Sequence, residues 1–249
     1  MTPLYLAHFG TTFQGARLRS EHQDDLDARP LNLRLAASAG IAPGQRVLDA
    51  GCGVCGPAVD IARAIAEVTI SGVTVSTVQA HAAAKVVREA GLKTRVSVCA
   101  ADFHQLPYAP ETFDVVLFLE SLCYTYDLAR LLRGVYDVLR PGGRVFVKDG
   151  FRREGIITVE EQHICERMCE LYAVPRTMTV SELALALAFS GFVDVRVEPL
   201  AGEMSFAATY DAFFTQVDGA PVLNAFGALH DLPYDVLPVR WLQVRACRP

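Results

Sequence analysis

The chain has 249 residues, 51% of them hydrophobic and 20% charged, with a net charge of −5. That balance describes a folded globular chain rather than a disordered one, and the negative charge argues against a general nucleic-acid binder, which is usually basic. No apolar run approaches the roughly 20 residues of a membrane span, the N-terminus has no basic-then-apolar leader, and seven cysteines fit free thiols in a reducing cytoplasm better than a disulfide framework.

The first 40 residues mix aromatics and charges and read as a helical or irregular cap. A regular alternation then begins. Short β-branched runs predict buried strands over 46–50, 69–73, 95–98, 113–119 and 144–148. Helical stretches fall between them, over 57–66, 77–90 and 128–139, and Pro141-Gly142-Gly143 marks a sharp helix-to-strand turn. Beyond Asp149 the pattern loosens, with helices expected over 160–172, 181–189 and 210–229 and strands over 192–197 and 241–246. Strands alternating with helices predict an α/β fold: a Rossmann-like, doubly wound, mostly parallel sheet with helices on both faces and helical cap insertions. The absence of a linker or repeat predicts one domain over 1–249, with a cap (1–40), a cofactor-binding core (41–150) and acceptor-side insertions with final strands (151–249).

The strongest local signal is Val47-Leu48-Asp49-Ala50-Gly51-Cys52-Gly53-Val54-Cys55-Gly56-Pro57. An apolar strand runs into a Gly-x-Gly-x-x-Gly loop and a helix follows. Glycines let a ligand approach the backbone, and the helix start offers free amides and partial positive charge. That geometry holds a pyrophosphate in dinucleotide enzymes and also suits the carboxylate of an amino-acid-bearing nucleoside. Asp49 would repel a pyrophosphate but suits a cationic ligand. Asp102 and Phe103 follow the third strand, where a carboxylate and a ring can hold an adenine amine and its face. Leu139-Arg140-Pro141-Gly142-Gly143 precedes the fifth strand.

As a set, these motifs over residues 40 to 150 resemble the class I S-adenosylmethionine-dependent methyltransferases. The resemblance implies S-adenosylmethionine as methyl donor, with Asp49, Gly51, Gly53, Thr74, Gln79, Asp102 and Phe103 as cofactor contacts. One departure is informative. Relatives often carry an acidic residue after the second strand, whereas this chain reads Gly72-Val73-Thr74-Val75-Ser76-Thr77-Val78-Gln79. That pattern is similar to the branch containing cyclopropane-fatty-acid synthases and the sterol and prenyl diphosphate C-methyltransferases. For Ser76 the alternative is a helix cap.

The apolar run 113–119 ends in Glu120-Ser121-Leu122-Cys123-Tyr124. Ligands of a doubly wound sheet lie beyond the carboxyl ends of its strands, which puts Glu120 beside the reactive methyl. A carboxylate there can stabilise a developing cation and accept a proton, and an aromatic such as Tyr124 can face the cation. Glu120 and Tyr124 are therefore the candidate catalytic residues. The competing reading of Glu120 is a strand-end residue that caps the next helix or pairs with an arginine. Metal binding is not expected at Cys52 and Cys55, which lie inside the cofactor loop, and Cys165 and Cys169 read as buried thiols on one helix face.

The sequence thus predicts a cytoplasmic enzyme of isoprenoid or secondary metabolism that methylates the alkene of a small isoprenoid. A prenyl diphosphate is the favoured form, and a diphosphate would call for Mg2+ or for basic partners, the candidates being His8, Arg17, Arg19, Arg152, Arg153, Arg176 and Arg240. The alternatives are an O- or N-methyltransferase of a small natural product and a non-catalytic cofactor-binding scaffold. The expected partner is a small-molecule acceptor, with no nucleic acid and no membrane span. A homo-oligomer is left open.

Overall fold

Short β-branched runs, each closed by a turn, become neighbouring strands because their main-chain groups are satisfied only by pairing. In the computed structural model, which describes residues 11–12, 17–18, 28–199, 204–205 and 238–249, helix α1 (Arg29–Ser38) precedes strand β1 (Arg46–Ala50). Then follow α2 (Gly56–Ala64), β2 (Thr69–Thr74), α3 (Thr77–Glu89), β3 (Val96–Ala100) and β4 (Phe113–Leu119). The chain continues through α4 (Leu128–Val138), β5 (Leu139–Arg152), α5 (Val159–Tyr172), α6 (Val180–Phe189), β6 (Val193–Pro199) and β7 (Val239–Cys247).

The seven strands form one sheet in the order β3-β2-β1-β4-β5-β7-β6. The first five in sequence run parallel, and β7 runs antiparallel to both β5 and β6. The expected Rossmann-like doubly wound fold is therefore present. β1 and β4 have the expected bounds. β5 passes the expected 144–148 at both ends: β7 pairs with it from Arg144 to Arg152, and before that Leu139 pairs with Phe113 of β4, so the expected turn at Pro141-Gly142-Gly143 lies inside the strand. The expected helix 210–229 and most of the expected cap lie outside the described residues.

One face of the sheet is covered by α1, α2 and α3, through Leu31, Leu35, Ile61 and Val87. The other is covered by α4 and α6, through Leu131, Val135, Leu183 and Leu187. Four of the six described helix starts, those of α3 to α6, carry side-chain caps. Ser76, Asp127, Thr158 and Thr179 each accept a hydrogen bond from a backbone amide of the first turn, and at Thr158 and Thr179 a glutamate three residues on returns the bond. Covering helices leave only the strand ends open. Because β1 and β4 are adjacent while their following helices lie on opposite faces, a crevice opens beyond their carboxyl ends.

Candidate active site

The glycine loop leaves β1 where that crevice begins. Gly51 and Gly53 both adopt positive φ, at 92° and 53°. They do so for different neighbours. A Cβ on Gly51 would run into the Ser121 side chain, so this glycine makes room for the loop after β4. A Cβ on Gly53 would meet nothing within 4 Å, which leaves its backbone open to a ligand. Asp49 is buried at the end of β1, and its Oδ2 has no hydrogen-bond partner among the described residues. Burial alone raises its pKa to about 7. A buried carboxylate oxygen without a partner is costly, and a cationic ligand in the open cradle would relieve that cost. The expected cofactor, which carries an ammonium and a sulfonium, fits these residues.

Thr74 and Gln79 come together at the end of β2. The Thr74 hydroxyl donates to Gln79 Oε1 at 2.7 Å and accepts from the Ser76 amide. Ser76 caps α3 by accepting from the Gln79 amide, which is the alternative weighed for it. The Thr74–Gln79 pair thus occupies the end of β2.

Asp102 has more to do than the sequence suggested. Its Oδ1 accepts from the backbone amide and the ring Nδ1 of His104, both at 2.8 Å, and its Oδ2 accepts from the Tyr126 hydroxyl at 2.8 Å. Partial desolvation pulls the carboxyl upward, but those hydrogen bonds outweigh it and the pKa is lowered. The His104 ring is buried, stacks on Tyr126 at 3.7 Å, and meets Thr125 Oγ1 through Nε2 at 2.9 Å. Asp102 thus anchors the loop after β4 as well as facing the crevice. Phe103 packs edge-on against Phe118, with ring centroids 5.8 Å apart.

Glu120 follows β4 with φ at +55°, an uncommon conformation for a residue with a side chain. Its amide donates to the Lys148 carbonyl at 2.7 Å, and its carboxylate Oε1 pairs with the Lys148 ammonium. The Lys148 side chain is wholly buried. The competing reading, an ion pair, is therefore realised, though with a lysine of the adjacent strand rather than an arginine.

Next to Lys148 stands Asp149, also buried. Its Oδ2 accepts from the Cys123 amide at 3.0 Å and its Oδ1 from the Gly150 amide at 2.8 Å. Desolvation raises its pKa, although those backbone bonds and the nearby Lys148 charge pull the other way. Glu120, Tyr124 and Asp149 line a cavity of about 100 Å³, closed elsewhere by apolar residues such as Phe151, Met168 and Trp241.

Lys148 and Asp149 are the residues that sequence reasoning missed. The available signal was two adjacent charges at the end of an otherwise apolar strand. Of the basic residues suggested for a diphosphate, Arg152, Arg153 and Arg176 are already engaged, Arg240 is exposed, and His8 and Arg19 lie outside the described residues. Arg176, on the cavity wall, pairs with Glu182 at 3.1 Å, and Arg153 forms a two-bond pair with Glu161 at 2.6 Å. Arg152 donates to the carbonyls of Arg153 and Gly155. Among the described residues no three His, Cys, Asp or Glu side chains form a metal-binding group, and Cys165 and Cys169 lie on α5 without one. Cys52 and Cys55 are buried free thiols, and the Cys52 pKa is raised by its hydrogen bond with Cys55 and by burial.

Residues 48–147, which span the glycine loop, Asp102 and Glu120, match the family described as methyltransferase domain. Over these residues, under half of the chain, the sequence is similar to class I S-adenosylmethionine-dependent methyltransferases. The chain is 41% identical over 109 residues to the methyltransferase GfsG of Streptomyces halstedii, covering 44% of this chain and 39% of that protein. A longer match, 28% over 223 residues, is to the sterol 24-C-methyltransferase erg-4 of Neurospora crassa, covering 84% of this chain and 56% of the relative. The chain thus spans well under two thirds of these curated relatives. Among solved structures, the [4+2]-cyclase SpnF superposes with a TM-score of 0.84 at 24% identity, covering 100% of this chain and 93% of that one. Geranyl diphosphate C-methyltransferase from Streptomyces coelicolor A3(2) superposes with a TM-score of 0.73 at 20% identity, covering 89% and 79%. At these identities the likeness in structure speaks for the fold of the methyltransferase domain.

Proposed function

We propose that this methyltransferase domain is a C-methyltransferase that transfers a methyl group to the alkene of a small isoprenoid. The observation that carries the reading is the pairing of an apolar, aromatic-lined cavity with two carboxylates, Glu120 just after β4 and Asp149 at the neighbouring register position of β5. An O- or N-methyltransferase needs one base beside a hydroxyl or amine. A reaction through a carbocation needs negative charge and ring faces around an otherwise dry site. Relatives that are named sterol C-methyltransferases support the same direction.

When bound, S-adenosylmethionine supplies an electrophilic methyl on sulfur. The chain does the rest. Asp49 and the open backbone at Gly53 hold the cationic amino-acid end, Thr74 and Gln79 meet the ribose, and Asp102 and Phe103 meet the adenine. Glu120, fixed by Lys148, keeps a negative charge at the mouth of the cavity, and Tyr124 presents a ring. Phe151, Met168 and Trp241 exclude water from the cation. We treat all 249 residues as one unit in this role, acting on a small-molecule acceptor.

The sequence favours a prenyl diphosphate, yet Arg152, Arg153 and Arg176 already have carboxylate or carbonyl partners. An uncharged isoprenoid asks less of them. The deciding experiment offers a carbon-deuterated sterol alkene, geranyl diphosphate with Mg2+, and a phenol. Methyl gain with loss of carbon-bound deuterium supports the reading, whereas methyl gain with all carbon-bound deuterium retained means O-methylation. The alternative of another class is a scaffold that binds the cofactor without turnover. Methyl transfer to any acceptor rejects it.

A further inference from the structure

We propose that Asp149, and not Glu120, receives the proton in this site, and that Lys148 is the positioning residue that divides the work between the two carboxylates. The inference rests on the alkene-methylation reading.

The two carboxylates stand side by side. Leu119 pairs with Lys148 across the parallel β4–β5 ladder, so Glu120 and Asp149 each lie one residue beyond the same register step. Both line the cavity. Their surroundings differ. Glu120 is bound to the Lys148 ammonium, whose side chain is wholly buried. Protonating Glu120 would leave that ammonium uncompensated in the core, which is strongly unfavourable. The pair therefore holds Glu120 ionised and makes it a poor proton acceptor. It serves as a fixed charge.

Asp149 forms no ion pair among the described residues. The charged and titratable groups around it are Lys148 on its own strand, Glu120, Cys123 and Tyr124 from the loop after β4, and Tyr172 and Arg176 across the cavity. Lys148 is committed to Glu120 and Arg176 to Glu182. Trp241, on β7, carries no charge. What holds Asp149 is two backbone amides, and burial raises its affinity for a proton. When two nearby titratable groups are pushed apart by their environments, the acid–base roles divide with them.

The step balances as follows. The alkene π electrons form the new bond to the methyl carbon, the carbon–sulfur bond breaks with its electrons left on sulfur, and a carbocation remains. A neighbouring C–H bond then gives its electrons to a new double bond, and its proton passes to an Asp149 oxygen. Asp149 later releases that proton to solvent.

The test needs no known acceptor. A protonated buried carboxyl has a carbonyl-stretch infrared band that the ionised form lacks. The full chain, with S-adenosylhomocysteine bound, is titrated as wild type, as Asp149→Asn and as Glu120→Gln/Lys148→Met. Dodecyltrimethylammonium, a fixed cation on an apolar chain, then stands in for the carbocation. The expected result is a band component that persists above the ordinary carboxylate range in the wild type and the double variant and is missing from Asp149→Asn. The probe should bleach it and release about one proton per chain. Survival of the component in Asp149→Asn, or its loss in the double variant, overturns the assignment. If Asp149→Asn does not fold, the wild type and the double variant still decide it through the proton released with the probe. A component that belongs to Asp149 but ignores the probe also overturns the role, and it locates the fault in the alkene-methylation reading.

Discussion

The Lys148 ammonium, buried under β5, is bound to the carboxylate of Glu120 at the end of β4, while the Glu120 amide donates to the Lys148 carbonyl. Main chain and side chain therefore fasten the same two residues, and the strained conformation of Glu120 is held from both ends. This changes what a substitution of Glu120 measures. Glu120→Gln removes a charge from the cavity, and it also leaves a buried ammonium without its carboxylate.

That variant should lose about 3–5 kcal/mol of stability, the usual cost of stranding one partner of a buried pair. Glu120→Gln/Lys148→Met should recover most of it, because replacing both partners with uncharged groups removes the stranded charge. Chemical denaturation of the two variants checks this. A single variant as stable as the wild type would mean that the pair contributes nothing to the fold. Activity should fall about a hundredfold or more in both, so stability and rate separate in the double variant.

The two loop glycines should fail in different ways. Gly51→Val forces a side chain into Ser121 at positive φ, and the protein should lose stability first. Gly53→Val also strains a backbone at φ +53°, but its side chain meets nothing within 4 Å, so it should cost less stability than Gly51→Val while affinity for S-adenosylhomocysteine collapses. Calorimetry on the folded Gly53 variant is the test, and wild-type affinity would move the ligand elsewhere.

The sheet was legible because its information is local. The 46–50 and 113–119 runs are apolar, short and bounded by turns, and both strands end where their composition changes. The reach of β5 past Lys148 was not legible, because it depends on β7, some ninety residues later in the chain. The glycine loop and Asp49 could be read from spacing. Lys148 could not be paired with Glu120 from sequence, since the contact exists only when β4 and β5 lie side by side. For the same reason Asp102 looked like a simple acceptor. Its tie to Tyr126 needs the loop after β4 to fold back over the end of β3, whereas its bonds to His104, two residues on, are local.

Those ties predict a mixed outcome for Asp102→Ala. Three donors lose their acceptor at once: the His104 amide, the His104 ring and the Tyr126 hydroxyl. Melting temperature should fall, and cofactor affinity should fall by roughly 1–3 kcal/mol. Tyr126→Phe removes one exposed donor and leaves the carboxylate, so it should cost little stability and leave cofactor affinity nearly unchanged. Equal losses of affinity in both variants would assign the effect to the loop rather than to an adenine contact.

Asp49 joins stability to cofactor binding through pH. Its folded pKa is about 7, above the ordinary value of 3.8, because burial disfavours the ionised form. The fold therefore prefers the protonated side chain. Below pH 3.8 Asp49 carries no penalty; the penalty grows between 3.8 and 7 and is complete above 7. The free protein should become less stable across that window, and Asp49→Asn, which cannot ionise, should be the more stable protein at pH 8. Cofactor binding should run the other way. A cationic ligand favours the ionised carboxylate, so binding at pH 6 must expel a proton, and affinity should weaken as the pH falls through 7. Titration calorimetry in two buffers of different ionisation enthalpy reads the proton directly. The wild type should release a substantial fraction of one proton per cofactor at pH 6 and close to none at pH 8.5. Asp49→Asn should release none at either pH and should bind less tightly at both. If the wild type releases no proton at pH 6, Asp49 is either already ionised in the free protein or out of reach of the ligand. Denaturation of the free protein tells these apart, because an Asp49 already ionised at pH 6 would give no loss of stability between pH 6 and 8.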